Sequence, residues 1–434
     1  MRLLLINLSL RPESPKRIVP IGLGYIATAI EKAGIKFDLL DMDIDKLSLK
    51  DVMAEVWRRQ YDVVAFGCIA TGYKHAKDLI RVIKEVNPRT KIIIGNSVAE
   101  IADKLPVDYV IKGEGDEMIV SILSNLDSPG KVQSVPPVDV DKLPLINWDL
   151  FNMEKYIEYN KYNIPEPYPM PFEELRVMPI NSARGCIHRC TFCYQVFQGY
   201  PYRYRSVESI KNELWQLREK YEVNYITFYD DLTIFSKKRA WEFVEIMDGM
   251  NTYWTACCRG DLFTRKDWGL LERLKEAGCV SLGYSLESSN AEILKAMNKK
   301  LSLEQFSEQK QALDDAGIAT VTSLVIGYPQ ETEETINETF NFCFDNRIYP
   351  SVGFLQPLPG TPIYNYAVKH GYIKNEEEYW LSMGDRQDFR INLTSMPQEK
   401  IESLVQGHLR RIKDHLKLDI EGDNLIKCRV VRGI

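Results

Sequence analysis

Ala183-Arg184-Gly185-Cys186-Ile187-His188-Arg189-Cys190-Thr191-Phe192-Cys193-Tyr194 sets three cysteines in a C-x3-C-x2-C spacing, with an aromatic residue just before the last. Soft thiolates suit iron–sulfur clusters or zinc. Three ligands on one tight loop hold three irons of a [4Fe–4S] cube. The fourth iron is then open to a small molecule, whereas a fully ligated cluster only carries electrons. A structural zinc site asks for a fourth ligand and usually for C-x2-4-C pairs. His188 is placed between the first two cysteines, and no second C-x-x-C occurs in the chain. The spacing therefore favours a cluster over zinc, and metal-free cysteines less than either.

The composition bounds the rest. At 434 residues the chain has room for two or three domains. Hydrophobic content of 45% and charged content of 27% fit a globular protein. No apolar run reaches a membrane-spanning length. Met1–Ser9 is too short and too soon interrupted for a signal peptide and reads as a first strand. A formal charge of −6 argues against a nucleic-acid surface. Nine cysteines, odd in number and with three clustered, do not form a disulfide framework. A reducing cytoplasm is the expected location.

Residues 1–125 alternate short apolar runs (Leu3–Leu8, Phe37–Leu40, Val63–Phe66, Ile92–Ile94, Tyr109–Ile111) with amphipathic stretches. The stretches Gly22–Ala33, Val52–Arg59, Ala76–Val86 and Met118–Leu123 read as helices. This predicts an α/β domain on a doubly wound parallel sheet, Rossmann-like. Ligands on such sheets bind at the carboxyl ends of the strands. Those ends carry Asn7–Ser9, Gly67–Thr71, Gly95–Ser97 and Lys112–Glu117, whose small residues either leave room for a ligand or are purely structural. Residues 126–176, rich in Pro, Asp and Tyr, read as a linker, with Pro136–Asp139 and Pro165–Pro171 as its marks. Leu143–Phe151 is anchored by Trp148 and Phe151. From 177 to 370 the strand–helix alternation resumes, with strands expected at Val177–Ser182, Tyr225–Tyr229, Tyr253–Cys257, Val280–Ser285, Thr320–Ile326 and Ser351–Leu355. Six units are too few for a closed eight-fold barrel and suit an open partial one. Residues 371–434 read as a helical cap, with Ile401, Leu404, Val405, Leu409 and Ile412 at helical spacing. Tyr379, Trp380 and Met383 either cover the barrel mouth or simply pack on the barrel.

The cysteine loop and the ordered strand ends after it resemble the radical SAM superfamily. In that family the open iron chelates S-adenosylmethionine, and an electron from the cluster cleaves the sulfonium to a 5′-deoxyadenosyl radical. The N-terminal third resembles the cobalamin-binding domain of B12-dependent members: Pro20–Gly24 looks like its first-helix entry, and Asp108–Asp116 matches its fifth-strand signature. The chain departs from the family in two places. No Asp-x-His-x-x-Gly follows the first strand, so no lower axial histidine is available. The fourth strand ends Gly95-Asn96 where Gly-Gly is usual, although Asn tolerates a positive φ.

The resemblance implies roles residue by residue. Cys186, Cys190 and Cys193 hold the [4Fe–4S] cluster. Phe192 packs on adenine or shields the cluster. Asp230 and Asp231 offer acceptors to the methionine ammonium or cap the next helix. Arg259 pairs with the methionine carboxylate or neutralises Asp230 or Glu287. Glu287 takes the ribose hydroxyls or the amino group, or is an ion-pair partner. Ser323 follows on the fifth strand, and Gln356–Pro362 forms a turn at the barrel mouth. Cys68, Thr71, Gly95, Asn96, Gly113 and Gly115 line the cobalamin site, whose retention stays open against a domain that kept the fold and lost the cofactor. Of Cys257 and Cys258 one faces the barrel interior, as a catalytic thiol, an extra ligand or a small core residue.

The expected activity is methylation of an unactivated carbon of a small-molecule or natural-product substrate, with S-adenosyl-L-methionine and cobalamin as cosubstrate and cofactor. A cobalamin-independent rearrangement, cyclisation or dehydration is the alternative, and a corrinoid- or iron-sensing module a third reading. The expected partners are the small-molecule substrate and a reductant such as flavodoxin or ferredoxin, with no nucleic acid and no membrane.

Overall fold

The computed structural model describes residues 1–420 apart from 13, 15, 18, 128, 135–138, 196–198, 385 and 386. Pro136–Val138 of the linker and residues 421–434 of the expected cap lie outside the described residues.

The first sheet is six-stranded and wholly parallel, in the order β2-β1-β3-β4-β5-β6. Its strands are β1 (Leu3–Asn7), β2 (Asp38–Asp41), β3 (Val63–Gly67), β4 (Lys91–Gly95), β5 (Tyr109–Lys112) and β6 (Gly130–Gln133). Alternation within each apolar run sends successive side chains to opposite faces. Leu3, Leu5, Val63, Ala65, Ile93 and Ile111 meet helices Ile21–Lys32 and Asp116–Ser124. Leu4, Ile6, Val64, Phe66, Ile92 and Ile94 meet helices Leu49–Arg59 and Tyr73–Val86. Burial on both faces explains why these strands carry continuous apolar runs. The sixth strand falls within the stretch read as linker, because only Val132 of Gly130–Gln133 is apolar and even it is half-buried. Further along the linker, Ile146 packs on the first helix. A Cβ on Gly24 would stand 2.9 Å from it, so a side chain there would push the linker off.

The second unit carries β7 (Val177–Ile180), the short antiparallel pair β8 (Ala183–Arg184) and β9 (Arg203–Tyr204), then β10 (Tyr225–Phe228), β11 (Tyr253–Cys257), β12 (Cys279–Gly283), β13 (Ala319–Val321), β14 (Ser323–Ile326) and β15 (Ser351–Phe354). One parallel sheet runs β13-β12-β11-β10-β7, and β14 pairs in parallel with β15. The fifth expected strand is thus broken at Thr322: its first half pairs with β12 and its second with β15. A bridge between Glu287 and Leu324 carries the curve across the break. The result is an open partial barrel of six parallel units.

Helix Gln398–Leu416 lays Ile401, Val405, Leu409 and Ile412 into the barrel core, with Leu404 partly buried beside them. Helix Glu376–Ser382 does something else. Trp380 meets Tyr73 edge-on at 5.4 Å between ring centres, and Glu377 takes a hydrogen bond from Lys77 Nζ at 2.8 Å. Trp380 Nε1 in turn donates to Tyr364 at 2.8 Å. Tyr379, Trp380 and Met383 therefore brace the barrel against the first domain within the apolar core they share. Packing against helix Tyr73–Val86 of the first domain could not be read from helical spacing.

After β14, Gly327 takes φ +109° and the chain turns over a buried carboxyl group. Glu331 accepts from Gly327 N–H at 3.1 Å and from Thr335 Oγ1 at 2.8 Å, and burial pushes its pKa up to about 7. A raised folded pKa favours the protonated form. That stability is fully present below the ordinary carboxyl range and is lost as pH rises through about 7. We predict that the chain loses on the order of 3 kcal/mol between pH 4.5 and 8 at this group. Urea denaturation of Glu331→Gln should show a correspondingly flatter pH profile; an unchanged profile would assign the slope elsewhere.

Candidate functional site

The loop carrying Cys186, Cys190 and Cys193 leaves the carboxyl end of β7 through β8 and is held from both sides. Thr191 donates its N–H to Met297 O at 3.0 Å and its hydroxyl to Ala296 O at 2.9 Å, and it shares a 2.8 Å hydrogen bond with the Tyr328 hydroxyl. Asn298 Nδ2 donates to Arg189 O at 2.8 Å. Arg189 Nη1 closes the loop on itself through Cys186 O at 2.9 Å. Phe192 meets Tyr328 edge-on at 6.3 Å. Burial raises all three thiols, Cys193 to about 12. A thiol in that state needs a metal to become a thiolate at neutral pH. Among the described residues no three His, Cys, Asp or Glu side chains converge on one point that would hold a single ion. Tetrahedral zinc requires such convergence, whereas a cube offers a separate iron to each thiolate.

The two aspartates after β10 have different surroundings. Asp230 Oδ1 accepts from Ser182 N–H at 2.8 Å, Ala183 N–H at 3.0 Å and Asn181 Nδ2 at 3.2 Å, and Oδ2 accepts from Ser182 Oγ at 2.6 Å. Its acceptor capacity is spent on the turn that launches the cysteine loop. Asp231 has no hydrogen bond or ion pair among the described residues, and its charge is felt at Cys186 and Cys193. Neither caps the next helix, whose N-cap is Ser236. Cys257 is exposed to solvent, yet enclosing protein and the carboxylates of Asp230 and Asp231 push its thiol up to about 11. A group that is wet but surrounded lines a concavity, so Cys257 faces the barrel mouth. Cys258 is buried in the opposite direction, in the barrel core, where Gln309 Nε2 approaches its Sγ at 3.7 Å.

Arg259 is paired with Asp261 at 3.0 Å rather than with Asp230 or Glu287. Ser323 Oγ donates to Ser285 Oγ at 2.8 Å, and its carbonyl accepts from Glu287 N–H at 3.0 Å. Glu287 itself is 5% exposed and holds φ +66°, a backbone conformation costly for a residue with a long side chain. Lys299 Nζ lies 3.4 Å from Oε1, while Oε2 is buried with no hydrogen-bond partner among the described residues. A buried, unsatisfied carboxylate oxygen at a strand end, with its charge reaching Cys190 and Cys193, fits a ligand bearing N–H or O–H donors.

At the carboxyl edge of the first sheet Gly67 and Asn96 are exposed, Gly95 and Thr71 half-buried. Asn96 holds φ +68°, with its own Oδ1 accepting from Ser97 N–H at 2.6 Å. The side chain that replaces the usual glycine thus folds back along its own helix entry. Cys68 points into the domain core, where burial raises its thiol; only its backbone faces the edge. Gly113 has φ +87°, and a Cβ there would stand 2.6 Å from Ser134 Oγ. On Gly115 a Cβ would stand 2.8 Å from Ile26. Both glycines are thus already required by the fold itself.

Sequence reasoning missed the contact between the two units. Arg184, two residues before Cys186, binds Asp116 with both guanidinium nitrogens, at 2.9 and 3.1 Å, and also Glu114. Arg203 reaches Glu114 from the other strand of the β8–β9 pair. All four side chains are buried. Burial opposes the charge on Arg184, and Asp116 and Glu114 outweigh it, holding the guanidinium above its usual range. Arg184 also stacks over Tyr25 of the first helix at 4.8 Å. Beyond Cys193, Tyr194 OH donates to Glu100 at 3.4 Å. Arginine next to one motif and two carboxylates inside the other were the available signal.

The radical SAM superfamily model matches residues 180–343, and the B12 binding domain model residues 11–123. The chain is 26% identical to an uncharacterized methyltransferase of Pyrococcus horikoshii, over 96% of this chain and 95% of that one. It is 25% identical to the cytidylyl-2-hydroxyethylphosphonate methyltransferase of Streptomyces wedmorensis, over 91% and 86%. Its fold matches the radical S-adenosylmethionine methyltransferase TsrM of Kitasatospora setae with a TM-score of 0.63 at 16% identity, over 85% of this chain and 76% of that one. The chain belongs to the radical SAM enzymes that carry a B12-binding domain.

Two substitutions separate the two acidic roles. Glu287→Ala should weaken S-adenosylmethionine binding by about 1–3 kcal/mol with iron content unchanged, measured by calorimetry on the reconstituted protein. Asp230→Ala should instead lower the iron retained after gel filtration, because the turn into the cysteine loop loses its four acceptor bonds. The reverse pattern would exchange the two assignments.

Proposed function

We propose that the protein is a cobalamin-dependent radical S-adenosylmethionine methyltransferase acting on an unactivated carbon of a small molecule. One observation carries this reading: both ends of the cysteine loop are tied to the carboxyl edge of the first sheet, through Arg184 to Glu114 and Asp116 and through Tyr194 to Glu100. Ligands of parallel sheets bind at that edge. A corrinoid there and a cluster on the loop would therefore share one chamber. When bound, the cluster with S-adenosylmethionine supplies a carbon-centred radical and the corrinoid a methyl group.

The chain's own residues do the positioning. Cys186, Cys190 and Cys193 would hold the cluster. Glu287 Oε2 and the unpaired Asp231 would accept hydrogen bonds from the ribose hydroxyls and the methionine ammonium, which need partners once desolvated. Gly67, Gly95 and Asn96 would border the corrinoid, and the sequence from Leu8 to Pro20 contains no histidine to coordinate its cobalt. Phe192, fixed against Tyr328, would exclude water from the cluster side. Methyltransferases among the relatives, one of them named for a cytidylyl phosphonate, support the methyl-transfer reading and a small substrate.

Anaerobic reconstitution with iron, sulfide and hydroxocobalamin tests it. Reduction in the presence of S-adenosylmethionine should release 5′-deoxyadenosine, and S-adenosylhomocysteine should appear only in protein that has taken up corrinoid. Alanine at Cys186, Cys190 or Cys193 should abolish both products and the cluster absorbance. Corrinoid-free protein that is fully active would turn the reading to a cobalamin-independent rearrangement.

The corrinoid edge has its own test. Asn96→Gly should preserve or improve corrinoid uptake, measured by cobalt content, because it removes only a self-directed side chain. Gly67→Trp should block uptake, since a Cβ there meets nothing nearer than Asn96 at 3.8 Å and the indole would project over the edge without disturbing the fold. Uptake unchanged in Gly67→Trp would move the corrinoid off this edge.

A further inference from the structure

The cysteine loop reaches the surface on one side. Ile187, between the first two cysteines, is 42% exposed. Arg189 on the same loop, and Lys295, Asn298 and Lys300 on the segment hydrogen-bonded to it, are also exposed. The patch is one rigid piece, because Asn298 Nδ2 donates to Arg189 O and Thr191 N–H to Met297 O. Among the described residues, Arg189 donates only to neutral oxygens, Lys295 and Lys300 have no hydrogen bond or ion pair, and no carboxylate lies within ion-pair distance of the three. Three cations without a paired carboxylate among the described residues thus share one rigid piece with an exposed aliphatic side chain, on a chain of formal charge −6.

We propose that this face, Ile187 with Arg189, Lys295, Asn298 and Lys300, is the docking surface for an acidic one-electron carrier protein. The inference rests on the functional reading above, which requires an electron from outside. One electron leaves the reduced carrier and enters the cluster, so the carrier is oxidised by one electron and no proton or group moves. Electron transfer favours the shortest path, and the loop that would hold the cluster is itself part of this surface. Charge complementarity then selects the partner: a carrier whose cofactor edge is ringed by carboxylates is steered to the cations. The apolar contact is small, which suits a transient encounter. A nucleic acid would call for a longer track of cations than three around one isoleucine.

The test uses the anaerobically reconstituted holoenzyme and an acidic flavodoxin as probe. Lys295→Glu/Lys300→Glu is the variant, since neither side chain has a hydrogen bond or ion pair among the described residues; Lys295→Ala/Lys300→Ala serves if the first melts early. Biolayer interferometry at low salt should show flavodoxin affinity reduced by about tenfold. The difference should vanish at about 0.5 M salt, where screening acts within a few ångströms. Stopped-flow bleaching of the cluster by flavodoxin hydroquinone should slow in parallel, while bleaching by dithionite stays at the wild-type rate. Equal affinity and equal hydroquinone rates in wild type and variant at low salt would overturn the proposal. Failure of dithionite to yield 5′-deoxyadenosine in either protein would instead remove the functional reading, and the affinity comparison would still decide the docking face.

Discussion

The contact of Arg184 and Arg203 with Glu114 and Asp116 is the constraint on which the arrangement of this molecule depends. Four charged side chains leave water together, and desolvation offsets much of what their attraction returns. Their contribution is therefore better described as geometry than as stability. Removing one member would strand a buried charge, so the contact favours the one arrangement of the two units in which all four are paired. Because Arg184 lies in the cysteine segment and Glu114 and Asp116 at a strand end of the first sheet, that contact brings the cysteine loop to the carboxyl edge of the first sheet. The brace from Trp380 to Tyr73 supports the same orientation from the far side, through apolar area rather than charge.

Within the barrel mouth the carboxylates divide by their surroundings. Asp230 is saturated with donors and acts on the backbone ahead of the cysteines. Glu287 is half satisfied and sits in a backbone conformation that the bridge to Leu324 enforces. An acceptor left bare in a folded protein costs stability unless something else fills it. The two acids are chemically alike, and only their neighbours separate a saturated structural clamp from a carboxylate with one oxygen left bare. Cys257 and Cys258 show the same division. Adjacent on one strand end, one looks into the mouth and the other into the core.

Much of this protein could be read from its residues alone. The C-x3-C-x2-C loop indicated the cluster, because thiolate chemistry depends on residue type and local spacing. Apolar runs separated by helices indicated parallel sheets, because burial on both faces leaves a periodic trace. Gly95-Asn96 pointed to a positive φ that Asn96 indeed adopts. Each of these is a local property, written within a dozen residues. Tertiary structure decided what depends on neighbours distant in sequence: that the fifth barrel strand breaks at Thr322 to change partners, that Gly130–Gln133 joins the first sheet by backbone pairing alone, that Arg259 answers to Asp261, that Gly113 is required by Ser134, and that Arg184 spans nearly seventy residues to reach Asp116. Sequence periodicity records which side of an element is buried. It carries no record of what lies opposite, and the partner decides whether a charge binds a ligand, clamps a turn or joins two domains.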